Sequence, residues 1–288
     1  MSNYALALIV VAAVLHAGWN YLLKKCGGGI GVLTLSAIVA TAALTPVSLF
    51  LIFANSFVFT PAMIGVIVGS GALHMVYFLL LDRAYRAGGD LSVVYPLARA
   101  TGPLLTIIVA TLIFGERMSA LALSGAVLIG ISALVLTGNP AKLFRKEASA
   151  GVGFALLCGC MIASYTVWDK QAVAVLLIPP VVFDWGANLS RIAMLTPLAM
   201  KREPGAIGRA WTDHRKTVIA IGLLSPLSYI LVLTAMVFTP VSYVAPAREL
   251  SILFAALLGA HALKEGDATR RTIAALGMVL GVSGLALG

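Results

Sequence analysis

The sequence predicts an all-α integral membrane protein, ten transmembrane helices arranged as two inverted five-helix repeats. Three observations predict it. Of 288 residues, 60% are hydrophobic and only 11% charged, with a mean hydropathy of +1.01, whereas about 25% of a soluble domain is charged. The apolar residues come in unbroken runs rather than alternating, which suits helices that satisfy their own backbone groups in hydrocarbon and not a barrel. Finally, the chain looks built twice. Ser92 to Arg117 is a membrane-length run with an arginine inside it and Gly115-Glu116 near its end, and it has a partner 149 positions later: Arg99 matches Arg248, Glu116 matches Glu265, Ala98 matches Ala247 and Leu104 matches Leu253.

The elements follow in order, at about 20 apolar residues per span. Helix 1 (4–23) has no basic region before it and ends in Lys24-Lys25 without a small-residue cleavage pattern, so it reads as a retained helix and not a signal peptide. Gly27-Gly28-Gly29 supplies a tight turn into helix 2 (30–53). In helix 3 (61–85), His74, Tyr77, Phe78 and Leu81 share one face by their spacing, as His16, Trp19, Asn20 and Leu23 do in helix 1. Helix 4 (91–114) carries Tyr95 and Arg99 between Pro96 and Pro103, and the glycine-spaced helix 5 (119–137) closes the first repeat, residues 1–138. A basic linker, 139–149, holds Lys142, Arg145 and Lys146.

The second repeat, 150–288, opens with helix 6 (150–170), where Ala163-Ser164-Tyr165-Thr166 and Lys170 echo Ala17-Gly18-Trp19-Asn20 and Lys24. Helix 7 (178–200) contains Asp184, Trp185 and Arg191, and a polar connection from Lys201 to Lys216 leads to helix 8 (216–238) with Tyr229. Helix 9 (240–262) has Pro240 in its first turn and Pro246 just before Arg248; helix 10 (270–287) carries Gly277 and Gly281-x-x-Gly284, which suit close helix contacts. Because five is odd, the two halves enter the membrane from opposite sides, which makes the duplication an inverted repeat.

Charge supports topology rather than nucleic-acid binding. The net charge is +9, but the loops after helices 1, 3, 5, 7 and 9 hold 15 of the lysines and arginines, while the other face has Arg117 and Lys170. The positive-inside tendency then places both termini outside the cytoplasm. Three cysteines, Cys26, Cys158 and Cys160, form neither a disulfide framework nor a metal set, and HExxH, G-x-S-x-G and P-loop patterns are missing. No cofactor, metal or catalytic residue is expected, and the chain is not expected to be an enzyme.

The remaining basic residues, Arg99, Arg191 and Arg248, fall inside predicted spans, where an arginine costs about 2.5–3.5 kcal/mol and needs a partner or a wet cavity. Structural pairing is the plain reading, with Asp184 the nearby acid for Arg191. Proline at matched points of two halves points instead to broken helices around a solute cavity. A solute carboxylate or phosphonate would then be the counter-charge. Tyr77, Tyr95, Trp185 and Tyr229 lie deep enough to line such a cavity, whereas Trp19 and Trp168 near span ends also fit an interfacial belt. His16, His74, Asp184 and Glu249 are the titratable groups inside the spans, although a lone histidine there is more often an interhelix hydrogen bond. Glu116, His261 and Glu265 sit at helix ends and suit packing or loop geometry.

The run GPLLTIIVATLIFGERMSALALSGAVLIGISALVLTG, its degenerate copy ending at Leu263-Lys264-Glu265, and His16-Ala17-Gly18-Trp19-Asn20 in helix 1 resemble the EamA-type branch of the drug/metabolite transporter superfamily. That resemblance implies a monomeric multi-pass carrier of the bacterial inner membrane, often an exporter of amino acids or other small metabolites, working by alternating access. It implies a central cavity lined by His16, Trp19, Asn20, Tyr77, Tyr95, Arg99, Trp168, Tyr229 and Arg248, with His74 and Trp185 added from spacing and depth. The family is drawn with cytoplasmic termini, the reverse of the loop-charge reading. A lipid-linked solute flippase of the same fold, a membrane enzyme and a docking protein are the alternatives; no catalytic cluster and no large polar loop favours the last two.

Overall fold

The computed structural model describes residues 1–86, 91–136, 149–255 and 268–288, and among them the regular structure is helical. The helices are α1 (Asn3–Lys25), α2 (Ile30–Ala54), α3 (Pro61–Arg86), α4 (Leu91–Phe114), α5 (Ala120–Leu136), α6 (Ser149–Lys170), α7 (Pro180–Arg202), α8 (Ala206–Phe238), α9 (Val241–Ala247, resuming over 250–255) and α10 (Ala268–Leu287). Among the described residues, six stretches are long and apolar enough to cross a membrane by length and composition: α1, α2, Pro61–Leu81 of α3, Leu97–Phe114 of α4, Gly151–Val175 and α8.

Local chemistry sets the ends. The Ser2 hydroxyl accepts from the Ala5 N–H at 3.2 Å to cap α1, and the Ser119 hydroxyl accepts from the Ala122 N–H at 3.0 Å to cap α5. Proline opens α3 and α7 at the first helical position, where its missing donor is not needed. Gly115, with φ +64, turns the chain out of α4 in a conformation that L side chains resist.

Four features of the helices differ from the sequence expectation. The segment 201–216 is not a plain loop, since α8 begins at Ala206 and runs through a kink at His214 (φ −134, ψ 21). Helix 6 does not stop at Lys170, because a π-helical turn, Gln171–Val175, carries it on. Pro96 and Pro103 do not break α4, which is continuous from Leu91 to Phe114, whereas α9 does break after Pro246, at Arg248 and Glu249. Lys170, counted as a loop charge, donates from Nζ to the Met236 and Thr239 carbonyls (2.6 and 3.0 Å), a cation satisfying the C-terminal end of α8. The linker 139–148, along with His261, Lys264 and Glu265, lies outside the described residues.

Packing is inside-out relative to a soluble protein. Leu112 is 79% exposed and Phe53 76%, while Asp169, Asp184, Glu249 and Arg99 are buried. An apolar exterior around a charged interior makes sense only with lipid as the outer solvent. Inside, α4 packs on α5, α6 and α9, α8 on α1 and α2, α3 on α6 and α7, and α2 on α7. Helices α5 and α10 approach closely, because Gly125 and Gly281 meet backbone to backbone: a Cβ on Gly125 would sit 2.5 Å from the Gly281 carbonyl oxygen, and one on Gly281 2.7 Å from that of Gly125.

Candidate functional site

The interior charges converge where α3, α4, α6, α8 and α9 meet. The break in α9 explains how two adjacent charges are used separately. After Pro246 the bonds shorten to the three-residue type, Glu249 N–H to Pro246 O at 3.0 Å and Ser251 N–H to Arg248 O at 3.1 Å, and the two side chains leave toward different neighbours. Glu249 turns to α4, where its Oε2 lies 2.8 Å from Arg99 Nε; Arg99 Nη2 also donates to the Ser251 hydroxyl at 2.9 Å. Arg248 turns to α6 and α8. Its guanidinium carbon lies 6.0 Å from the Tyr165 ring centre and 5.8 Å from that of Tyr229, with Nη2 donating to the Tyr165 hydroxyl at 3.4 Å. Two electron-rich rings hold the cation, and its buried Nη1 makes no hydrogen bond among the described residues.

A second arm starts at Tyr229. Its hydroxyl donates to Asp169 Oδ2, and His74 Nε2 stands 4.0 Å from the same oxygen. His74 Nδ1 donates to the Ser70 carbonyl at 2.9 Å, which fixes the ring and leaves Nε2 toward the carboxylate. The imidazole stacks on Tyr165 (4.2 Å between ring centres) and meets Tyr229 edge-on (5.6 Å), and Tyr77 approaches Tyr165 at 6.0 Å. On α7, the Asn188 carboxamide bridges the expected pair: its Nδ2 donates to Asp184 Oδ2 at 2.9 Å and its Oδ1 accepts from Arg191 Nη2 at 2.7 Å, leaving Arg191 and Asp184 at 4.0 Å. A cavity of about 50 Å³ adjoins this pair, lined by Trp19, Ser36, Asn188, Arg191 and Ser225 among others.

Of the residues expected from sequence, His74, Tyr77, Arg99, Tyr229 and Arg248 come together here. His16, edge-on to Trp19 at 4.9 Å, lies within electrostatic reach of both Arg99 and Arg248. Three others have different partners. Asn20 donates to the His16 carbonyl of its own helix (2.8 Å), Trp168 is 38% exposed and donates from its indole to the Val66 carbonyl (2.8 Å), and Trp185 donates to the Thr45 hydroxyl across α2 and α7 (2.9 Å). The side chain of Tyr95 lies outside what is described. The expectation that Arg99 lacks a counter-charge is corrected, because Glu249 supplies it.

Sequence reasoning passed over Asp169 and Tyr165. A helix 6 ending at Lys170 puts Asp169 at a helix end, whereas the π turn extends the helix beyond it and Asp169 is fully buried. The apolar run after Gln171, Ala172 to Ile178, was the available signal. The Gly115-Glu116 pair also acquires a role. Once Gly115 has turned the chain, both Glu116 carboxylate oxygens accept from the first N–H groups of α9, Val241 at 2.9 Å and Ser242 at 2.8 Å, an anion placed on a helix N-terminus.

A family model described as the EamA-like transporter family matches residues 149–287. No curated protein matches the sequence. One solved structure, titled only as a crystal structure of a protein, is similar over 100% of this chain and 98% of its own, with a TM-score of 0.78 at 19% identity, a likeness of fold alone. The match falls on the second half of the chain, and it is to the family that the Gly-Glu and His-Ala-Gly-Trp-Asn segments resemble.

Proposed function

We propose that the chain is a secondary transporter, an exporter of a small organic metabolite such as an amino acid or organic anion, working by alternating access as a monomer in a bacterial inner membrane. The observation that carries it is Arg248, a buried guanidinium held between the Tyr165 and Tyr229 rings with one nitrogen unbonded among the described residues, inside a helical molecule with an apolar exterior. A carboxylate or phosphonate would meet that nitrogen with a charge-assisted bond, and the rings would face the solute's apolar part.

The ten-crossing, two-repeat reading has support in the packing. Replacing each helix by the one five later, and the reverse, turns α1 on α8 into α6 on α3 and α2 on α8 into α7 on α3, while α2 on α7, α4 on α9 and α5 on α10 map onto themselves; every one of these contacts is present. Alternating access would require the Arg99–Glu249 link between the two halves to part as the bundles rock.

Flux of labelled amino and organic acids into liposomes tests the reading. Wild type is expected to move at least one solute, and Arg248→Gln to reduce that flux at least tenfold, as losing one buried charge-assisted contact of about 1.5–3 kcal/mol requires. Equal flux for both proteins removes Arg248 from the binding site.

A further inference from the structure

We propose that Asp169 is a proton-binding site, linked through Tyr229 to Arg248, so that an anionic solute enters this cluster together with one proton. Among the described residues, the interior cluster holds three guanidiniums, Arg99, Arg191 and Arg248, and three carboxylates, Asp169, Asp184 and Glu249. Fully ionised, it is neutral without any cargo. A net anion bound at Arg248 would leave one negative charge unbalanced in a buried, low-dielectric interior, which is expensive. Uptake of one proton by one of the carboxylates restores neutrality.

Geometry selects the carboxylate. Glu249 is held by Arg99 at 2.8 Å, and Asp184 accepts from Asn188 and faces Arg191 at 4.0 Å. Among the described residues, no guanidinium lies within ion-pair distance of Asp169. It is fully buried, its Oδ2 takes the Tyr229 hydroxyl, and its Oδ1 makes no hydrogen bond among the described residues. The groups facing it are Ser70 and His74 on α3, Tyr229 on α8, and, farther off, Asp184 and Arg191 on α7; its chain neighbour Lys170 is turned away to the α8 carbonyls. His74, its Nδ1 hydrogen already committed to Ser70, turns the lone pair of Nε2 toward the carboxylate at 4.0 Å. Tyr229 touches both ends of the device, its hydroxyl on Asp169 and its ring under Arg248, so a solute anion on Arg248 and a proton on Asp169 act on one side chain.

The proposal rests on the carrier reading for its coupling but not for the site itself, and two measurements keep them apart. In full-length protein reconstituted in liposomes, infrared difference spectra across a pH titration are expected to show one carboxyl C=O band. That band should vanish in Asp169→Asn, shift in frequency in Asp169→Glu and Tyr229→Phe, and persist in Asp184→Asn and Glu249→Gln. A band that survives Asp169→Asn, or that disappears in Glu249→Gln instead, overturns the assignment, as does a titration with no carboxyl band. With pyranine trapped inside, any organic acid that the flux panel shows to be carried should move one proton per solute in wild type and none in Asp169→Asn. Solute movement without proton movement in wild type overturns the coupling. A band lost with Asp169 in a protein that moves no solute upholds the proton site and sinks the carrier reading.

Discussion

The Arg99–Glu249 pair shows what a buried charge does at the scale of one residue. Both side chains are almost fully buried, so each has lost its water, and the 2.8 Å contact recovers that loss only while both partners are present. Arg99→Met is therefore expected to lower stability by about 3–5 kcal/mol by stranding the carboxylate, and Arg99→Met combined with Glu249→Met to recover most of it. Thermal unfolding in detergent for the two single variants and the double would show this; additive losses would mean that the pair is not coupled. Arg248 is held differently, by ring faces and one long hydrogen bond of 3.4 Å to Tyr165. Its partners do not neutralise it, which is why the solute is assigned to Arg248 and not to Arg99.

At the scale of elements, the decisive features are helix ends and breaks. Gly115 and Glu116 act together: the first admits a positive φ, the second takes the two free N–H groups that open α9. Glu116→Gln keeps one acceptor but removes the charge and should cost about 1–2 kcal/mol, the range of helix capping and dipole effects. Gly115→Ala should cost about 1–2 kcal/mol through its left-handed backbone. Melting of the purified protein measures both, and an unchanged midpoint for Glu116→Gln would show that the cap is not a stabilising contact. The break in α9 depends on Pro246 removing a donor just before the two charges, whereas α4, with prolines at 96 and 103, stays continuous around Arg99. Prolines close to a buried arginine thus leave α4 continuous but coincide with a break in α9.

For the whole molecule, solvent is the controlling variable. Ile108 is 55% exposed on α4, and in a water-soluble protein its replacement by arginine would be nearly neutral. Here Ile108→Arg is expected to cost about 2.5–3.5 kcal/mol of insertion free energy, visible as a lower inserted fraction of a glycosylation-tagged span. Unimpaired insertion would argue that this face does not meet lipid. Gly281→Val tests the other global contact: its side chain would collide with the Gly125 carbonyl, and fluorescence-detected size exclusion should show loss of the folded peak. A normal peak would mean that α5 and α10 can separate without harm.

Composition and run length by themselves determined that the chain is helical and apolar outside, because the bilayer acts on every residue of a span and its demand is written along the whole sequence. The positions of α1 to α7 and α10 were legible to within a few residues for the same reason, and so were the buried arginines, since a guanidinium in an apolar run is conspicuous. Partners were not legible. That Glu249 serves Arg99 and not its neighbour Arg248, that Trp168 faces outward while adjacent Asp169 faces inward, and that a π turn extends helix 6 past Asp169 were decided only by the tertiary structure. Such pairings depend on side-chain directions a fraction of a helical turn apart and on contacts between residues more than a hundred positions distant, which no local pattern encodes.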